Sequence, residues 1–460
     1  MSWLDRERTI ARPGFNRWLI PPAALAVHLS IGQVYASSVY KTALVAHFHA
    51  SLTQIGAIFS IAIVMLGLSA AILGTWVDAK GPRKAMFVAA MFWSGGFVIG
   101  ALGIFSNQLW LVYLGYGVVG GIGLGIGYIS PVSTLIKWFP DRPGLATGMA
   151  IMGFGGGALI ASPLSTALLS AYDPKSGPLT WIASGDAVGK LFLTFAVIFF
   201  AYMMFGAFSI KVPAAGWTPA GFDASKIKTK KLVTSDNVSA KNAIRTRQFW
   251  LIWIVLFCNV TAGIGILEQA APMIQDFFRQ PDGTSLVSAV VAGGFVGLLS
   301  LGNMAGRFGW SSTSDFTGRK RIYMVYLGVG TALYLVLALF GSSATVLYVL
   351  LAFFILSFYG GGFATAPAYL RDLFGTYQVG AIHGRLLTAW SAAGIVGPLI
   401  VNSILDGQGA PGKLNAANYQ PALLTMVAIL AIGFIANLFV KPVDARFNEP
   451  VIAAPIRETV

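Results

Sequence analysis

The 460-residue chain predicts an all-α polytopic membrane protein, with twelve transmembrane helices in two pseudo-symmetric six-helix bundles around a central cavity. Three observations carry that expectation: composition, the spacing of apolar stretches, and an internal duplication. The chain is 56% hydrophobic and only 10% charged, with a mean hydropathy of +0.72, whereas soluble proteins carry roughly 25% charged residues. A helical crossing needs about 20 apolar residues. Stretches of that kind fall at 18–40, 53–76, 85–105, 108–135, 143–171, 189–210, 249–274, 286–311, 322–341, 345–369, 380–404 and 420–440.

The duplication is visible in the loops. Gly74-Thr75-Trp76-Val77-Asp78-Ala79-Lys80-Gly81-Pro82-Arg83-Lys84 is echoed by Asp315-Phe316-Thr317-Gly318-Arg319-Lys320, the basic pairs lying 236 residues apart. The same offset carries Pro131, Gly144 and Gly148 onto Pro367, Gly380 and Gly384, and Gln33 onto Gln269. Internal repeats of this kind mark secondary transporters. The expected organisation is a tail (1–17), a first bundle (18–210), a basic linker (211–248), a second bundle (249–440) and a second tail (441–460).

The net charge of +14 is distributed by loop. Lys41, Lys175, Lys190, Arg279 and Lys413 fall in odd-numbered loops or at their edges and Arg307 deep inside a helix, while the rest of the Lys and Arg occupy the tails and the even-numbered loops or, like Arg385, the loop-side end of a stretch. The positive-inside rule makes those faces, and both termini, cytoplasmic; a plasma membrane location, the bacterial inner membrane, follows. The linker run Lys226, Lys228, Lys230, Lys231 lacks the aromatic interleaving of an RNA-binding segment and suits anionic lipid headgroups. The lone Cys258 excludes an internal disulfide or thiolate metal site. The first residues, rich in Arg and without a small-residue cleavage site, read as a tail and not a removable signal. No nucleophile, base and orienting acid share a site, so an enzyme is not expected, nor is a cofactor or metal.

In the two Asp-x-x-Gly loops, Gly81 and Gly318 permit a turn without steric cost. Asp78, Arg83 and Lys84, with Asp315, Arg319 and Lys320, can bridge helix ends, either as a gating network that closes the cytoplasmic side or as simple topological anchors. The pattern GxxxDxxGxRK with twelve helices resembles the major facilitator superfamily, which implies two bundles rocking about a central site. Gly125-Ile126-Gly127-Tyr128, Trp138-Phe139-Pro140-Asp141-Arg142-Pro143-Gly144-Leu145-Ala146-Thr147-Gly148 and Gly153-Phe154-Gly155-Gly156-Gly157 resemble its oxalate/formate antiporter branch and the related monocarboxylate transporters.

Arg307 carries the chemistry. Lying eight residues before Asp315 on the eighth helix, its Cα is placed about 12 Å inside the loop, where an arginine costs about 2.5 to 3.5 kcal/mol. Its planar fork can take a carboxylate through two parallel hydrogen bonds, and the family resemblance implies an anion-binding arginine at this place. The alternatives are a permanent acidic partner or snorkelling to the surface. Glu268 is the one acid inside any predicted span, expected near the outer interface and about 15 Å or more from Arg307 in depth.

The oxalate-transporting relatives carry a lysine on the eleventh helix where this chain has Leu387-Thr388-Ala389-Trp390. A dianion would then face one buried cation, which favours a monocarboxylate such as formate, lactate or pyruvate. Expected wall residues are Tyr35, Tyr128, Tyr359 and Trp390, with Gln33 and Gln54 as uncharged donors nearer the outer face. His28 and Glu268 are the two candidates for carrying a proton. Proton symport and anion exchange both remain open, as does an oxalate/formate-type dicarboxylate exchanger; a drug or sugar carrier would want more buried acids or amides. Expected partners are a small carboxylate, possible protons and the bilayer, with no nucleic acid and a monomeric chain.

Overall fold

Helices follow from the solvent: inside hydrocarbon every backbone amide must find its partner within its own segment. The computed structural model describes residues 3–141, 143–174, 183–214, 216–221, 234, 236–375, 378–409 and 412–449. Among them twelve helices are long and apolar enough to cross a membrane. The first, α1, starts at Ile20–Ile31, tightens to a 3-10 turn over Gly32–Ala36 and continues as Ser38–Phe48. The rest of the first half is α2 (Leu52–Lys80), α3 (Pro82–Phe105), α4 (Leu109–Trp138), α5 (Pro143–Tyr172) and α6 (Gly185–Ser209). The second half comprises α7 (Arg247–Phe277), α8 (Ala289–Thr317), α9 (Arg319–Phe340), α10 (Thr345–Phe374), α11 (Val379–Asp406) and α12 (Ala416–Leu438).

The chain ends and linker share one face, called here the linker face: Ile10 bridges Val212, and Val238 bridges Asn448. The opposite face is the far face. The basic run Lys226 to Lys231 lies outside the described residues. Outward-pointing Ile72, Val197 and Val346, each 71% exposed, form part of an apolar surface that only lipid would cover.

The halves meet along two seams, α5 against α8 and α2 against α11. Small residues bring the backbones close enough for side chains to bond across: Ser300 Oγ donates to the Gly155 carbonyl at 2.7 Å, Ser162 Oγ to the Gly293 carbonyl at 2.6 Å, and Ser391 Oγ to the Val64 carbonyl at 3.3 Å. Such contacts replace the hydrophobic drive that lipid removes. The loop glycines behave as the sequence suggests, Gly81 with φ +85° and Gly318 with φ +90°.

The described bonds of the loop cations stay within each half. Arg319 bonds Asp315 and Ser314 and lies 3.5 Å from Asp372, while Lys320 Nζ donates to the Leu438 and Val440 carbonyls, all within the second half. Arg83 donates to the carbonyls of Ala207, Phe208 and Trp3 in the first half. Lys84 stands in the first turn of α3, and the side chain of Asp78 lies outside the described residues. The described bonds of Arg83, Arg319 and Lys320 thus fasten helix ends within their own bundles.

Inside the first half, α1 packs closely on α5. A Cβ on Gly32 would fall 3.0 Å from Gly157 Cα and nearer still to the Phe154 carbonyl oxygen. Gly32→Ala is therefore expected to destabilise the first bundle by about 1–3 kcal/mol through overpacking, read as a lower melting temperature of the purified protein in detergent.

Candidate functional site

Five side chains from five helices stand at one level, each about ten residues in from the linker-face end of its helix: Tyr128 on α4, Phe154 on α5, Arg307 on α8, Phe363 on α10 and Trp390 on α11. That is about 15 Å deep. All five are buried, and Arg307 has no exposed surface. Its guanidinium carbon lies 5.0 Å from the Phe363 ring centre and 5.6 Å from that of Phe154, so two π faces solvate the cation. Trp390 sits edge-on to Phe363 at 4.4 Å and to Phe154 at 5.5 Å. Tyr128 approaches Trp390, Phe154 and Phe363 at 5.6, 5.7 and 5.9 Å. One turn toward the far face, Tyr35 and Tyr359 join their hydroxyls across the halves at 2.6 Å.

Hydrogen bonding defines what this enclosure lacks. Arg307 Nε donates to Asn303 Oδ1 at 2.9 Å and Nη1 to the Ile151 carbonyl at 3.3 Å. Nη2 has no partner, and neither do Asn303 Nδ2, Trp390 Nε1 or the Tyr128 hydroxyl. Among the described residues no carboxylate pairs with Arg307, and the side chain does not snorkel. These are four unmatched groups able to donate hydrogen bonds beside one fixed positive charge, a set whose chemical complement is a molecule with acceptor oxygens. Glycine lets the cation in: a Cβ on Gly155 would lie 2.7 Å from Arg307 Nε.

The other residues named from sequence are distributed differently. His28 is fully buried, its ring stacked on Tyr128 at 5.6 Å and its Nε2 3.0 Å from the Tyr128 carbonyl, with Nδ1 unpartnered. Gln33 spends its amide inside the first bundle, donating to the Tyr40 hydroxyl at 3.1 Å and accepting from that of Tyr116 at 3.2 Å. Gln54 is exposed at the far-face start of α2, where it closes a capping box with Ser51, so it does not reach the enclosure. Phe154, Phe363 and Asn303 were not singled out from sequence. Two of them carried a signal: the 236-residue offset takes Phe154 onto Trp390, and Asn303 lies one helical turn before Arg307.

The expected placement of Lys41 needs correction: it is not in a loop but inside Ser38–Phe48, and its side chain lies 2.5 Å from that of Glu268, each 3% exposed. Asn402 completes a triad, accepting from Lys41 Nζ at 2.9 Å and donating to Glu268 Oε2 at 3.1 Å. Toward the far face, Asp406 on α11 accepts the amides of Leu52 at 2.9 Å and Thr53 at 3.0 Å and the Thr53 hydroxyl at 2.6 Å, capping α2 of the other half. These bonds close the two halves on that side of the enclosure.

Removing one member of a buried pair strands the other charge, at about 3–5 kcal/mol, whereas neutralising both is far milder. Lys41→Met is thus expected to lower the melting temperature more than the double variant Lys41→Met/Glu268→Gln does, a comparison made by thermal unfolding in one detergent.

Comparison with known proteins agrees with this architecture. The profile of the Major Facilitator Superfamily matches residues 23–398. The oxalate:formate antiporter of Oxalobacter formigenes is 26% identical over 441 residues, 95% of this chain and 93% of that protein. The apicoplast pyruvate carrier 1 of Toxoplasma gondii is 24% identical over 392 residues, 75% of this chain and 69% of the carrier. In fold, the chain is similar to a bacterial homologue of the human lysosomal transporter Spinster in an inward-facing, unoccupied conformation, with a TM-score of 0.63 at 15% identity over 96% of this chain and all of that one. With most of its length matched by the family profile and twelve membrane-crossing helices in two paired halves, this chain belongs to the Major Facilitator Superfamily, a family of transporters and not of enzymes.

Proposed function

We propose that this transporter is a secondary carrier of a small monocarboxylate, of the formate, lactate or pyruvate class, with Arg307 binding the carboxylate during alternating access. The observation that carries the reading is the unpartnered Arg307 Nη2 beside three further unmatched groups able to donate, in an enclosure without a carboxylate among the described residues. A carboxylate supplies the missing acceptors and the missing negative charge together. The relatives that handle oxalate and formate, or pyruvate, support the same substrate class.

Charge balance favours a monoanion. The second buried cation between the halves, Lys41, is already neutralised by Glu268, so Arg307 leaves one positive charge for the cargo. A dicarboxylate would bring a second charge into an enclosure walled by Phe154, Phe363 and Trp390, with a desolvation cost of several kcal/mol. The dicarboxylate exchanger is the runner-up, favoured by the length of the match to the oxalate:formate antiporter. Basic residues on the linker face orient it toward the cytoplasm, with the bacterial inner membrane as the membrane crossed. The protein is read as a monomer. Loop charges at Asp315 and Arg319 hold helix ends firm while the bundles rock.

The deciding experiment is uptake into proteoliposomes of labelled formate, lactate, pyruvate and oxalate. Arg307→Ala, which removes charge-assisted bonds worth about 3 kcal/mol, is expected to lower monocarboxylate uptake on the order of 100-fold. Arg307→Lys keeps the charge but loses the fork and is expected to recover only part of it. Unchanged flux of every acid in Arg307→Ala rejects the reading, and preferred uptake of oxalate selects the runner-up.

Of the two proton candidates, Glu268 is committed to Lys41, whereas His28 keeps a free ring nitrogen next to Tyr128. His28→Gln is expected to abolish uptake driven by a pH gradient while preserving substrate-for-substrate exchange; pH-driven uptake at the wild-type rate removes His28 from the mechanism.

A further inference from the structure

Ahead of α1 the chain forms a strap along the linker-face ends of the first bundle. Ala11 N donates to the Val212 carbonyl and Val212 N to that of Thr9, each at 2.9 Å, which seats the strap beside the exit of α6. Farther along, Arg17 grips Asp141 beyond the end of α4 with bonds of 2.7 and 3.0 Å. The pairing with Val212 brings Arg12 close to Lys211. Arg83, in the first turn of α3, reaches the same corner through the carbonyls of Ala207, Phe208 and Trp3, each at 3.3 Å.

Positive charge gathers at this corner without a resident acid. Lys211 Nζ donates to the Arg8 carbonyl at 3.4 Å. Burial, followed by the charges of Arg83 and Arg12, pushes its ammonium below the ordinary lysine pKa, as neighbouring like charges do. Asp5 and Glu7 belong to the same strap, yet among the described residues no ion pair involves Arg8, Arg12, Arg83 or Lys211. Arg8 and Arg12 are exposed and Lys211 is half-buried, so a ligand on the surface has access to all three. Two tryptophans mark the level of the corner. Trp18 stands at the start of the first span, and Trp3 packs on Phe208 in the last turn of α6 with ring centres 4.9 Å apart. They are 48% and 63% exposed. Indoles at span ends occupy the headgroup layer, where cations meet anionic lipid. A soluble anion would answer the cations but leave both rings uncovered.

We propose that Arg8, Arg12 and Lys211 form a binding site for the headgroup of an anionic phospholipid in the linker-face leaflet, with Trp3 and Trp18 holding the strap at headgroup depth. The bound lipid supplies the negative charge that the corner lacks. It also ties the strap, and through it the ends of α4 and α6, to the bilayer. The inference is independent of which acid the carrier moves.

The test is equilibrium binding of a fluorescent phosphatidylglycerol to the full-length protein in a neutral detergent, read by anisotropy. Unlabelled phosphatidylglycerol is expected to displace it about tenfold better than phosphatidylcholine does. Arg8→Gln/Arg12→Gln is expected to weaken binding about tenfold, whereas Lys241→Gln/Arg245→Gln changes it by less than about twofold. The second variant removes the same charge from exposed positions just before α7. Equal losses in the two variants reduce the corner to a diffuse positive surface and overturn the site, as does equal competition by the two lipids. Displacement by inorganic phosphate beyond that by chloride at the same ionic strength assigns the corner to a free anion and overturns the lipid reading. The lipid competition needs no variant and decides the matter even if Arg8→Gln/Arg12→Gln does not fold.

Discussion

A positive charge that cannot reach water organises the middle of this molecule. The Arg307 guanidinium, fully buried on α8, would be expensive in hydrocarbon, and the protein meets that cost without a carboxylate among the described residues. Two phenyl faces, one amide oxygen and one backbone carbonyl stabilise the cation. That arrangement is incomplete by design of its parts: aromatic faces and neutral acceptors soften the charge but leave it uncancelled. Under the proposed function, the cargo finishes the neutralisation on each cycle.

The contrast with Lys41 sharpens this. Among the described residues, Arg307 and Lys41 are buried cations near the boundary between the halves, and of these two Lys41 alone has a resident counter-ion. Lys41, Glu268 and Asn402 make a self-contained neutral unit drawn from both halves, suited to holding them together. Arg307 is braced by Asn303 on its own helix and by the Ile151 carbonyl across the seam. Holding and binding are thus divided between two levels of the same interface.

Much of the fold was legible because lipid imposes a coarse rule: length and hydropathy give the crossings, and the duplicated loops give the halves. The depth of Arg307 was legible for the same reason, as a count along a helix. Partnership across the halves was not. Lys41 read as a loop residue because the 3-10 turn at Gly32–Ala36 resets the helix and carries it well past a single hydrophobic window. Glu268 read as isolated because its partner lies 227 positions away in sequence, beyond any local periodicity. The capping role of Gln54 had a signal in the sequence: Ser51-Leu52-Thr53-Gln54 is a capping-box signature, and the structure has that box. The rings of Phe154 and Phe363 were hidden among many membrane phenylalanines, whose type alone says nothing about which face they occupy.

The far-face cap has an evolutionary implication. Two of the three bonds made by Asp406 are to peptide nitrogens of Leu52 and Thr53, groups that nearly every amino acid supplies. Drift at those two positions would leave most of the clasp intact, so its strength is adjustable almost solely through one codon, that of the aspartate. A lineage needing a looser or firmer clasp at the far face has a single dial to turn.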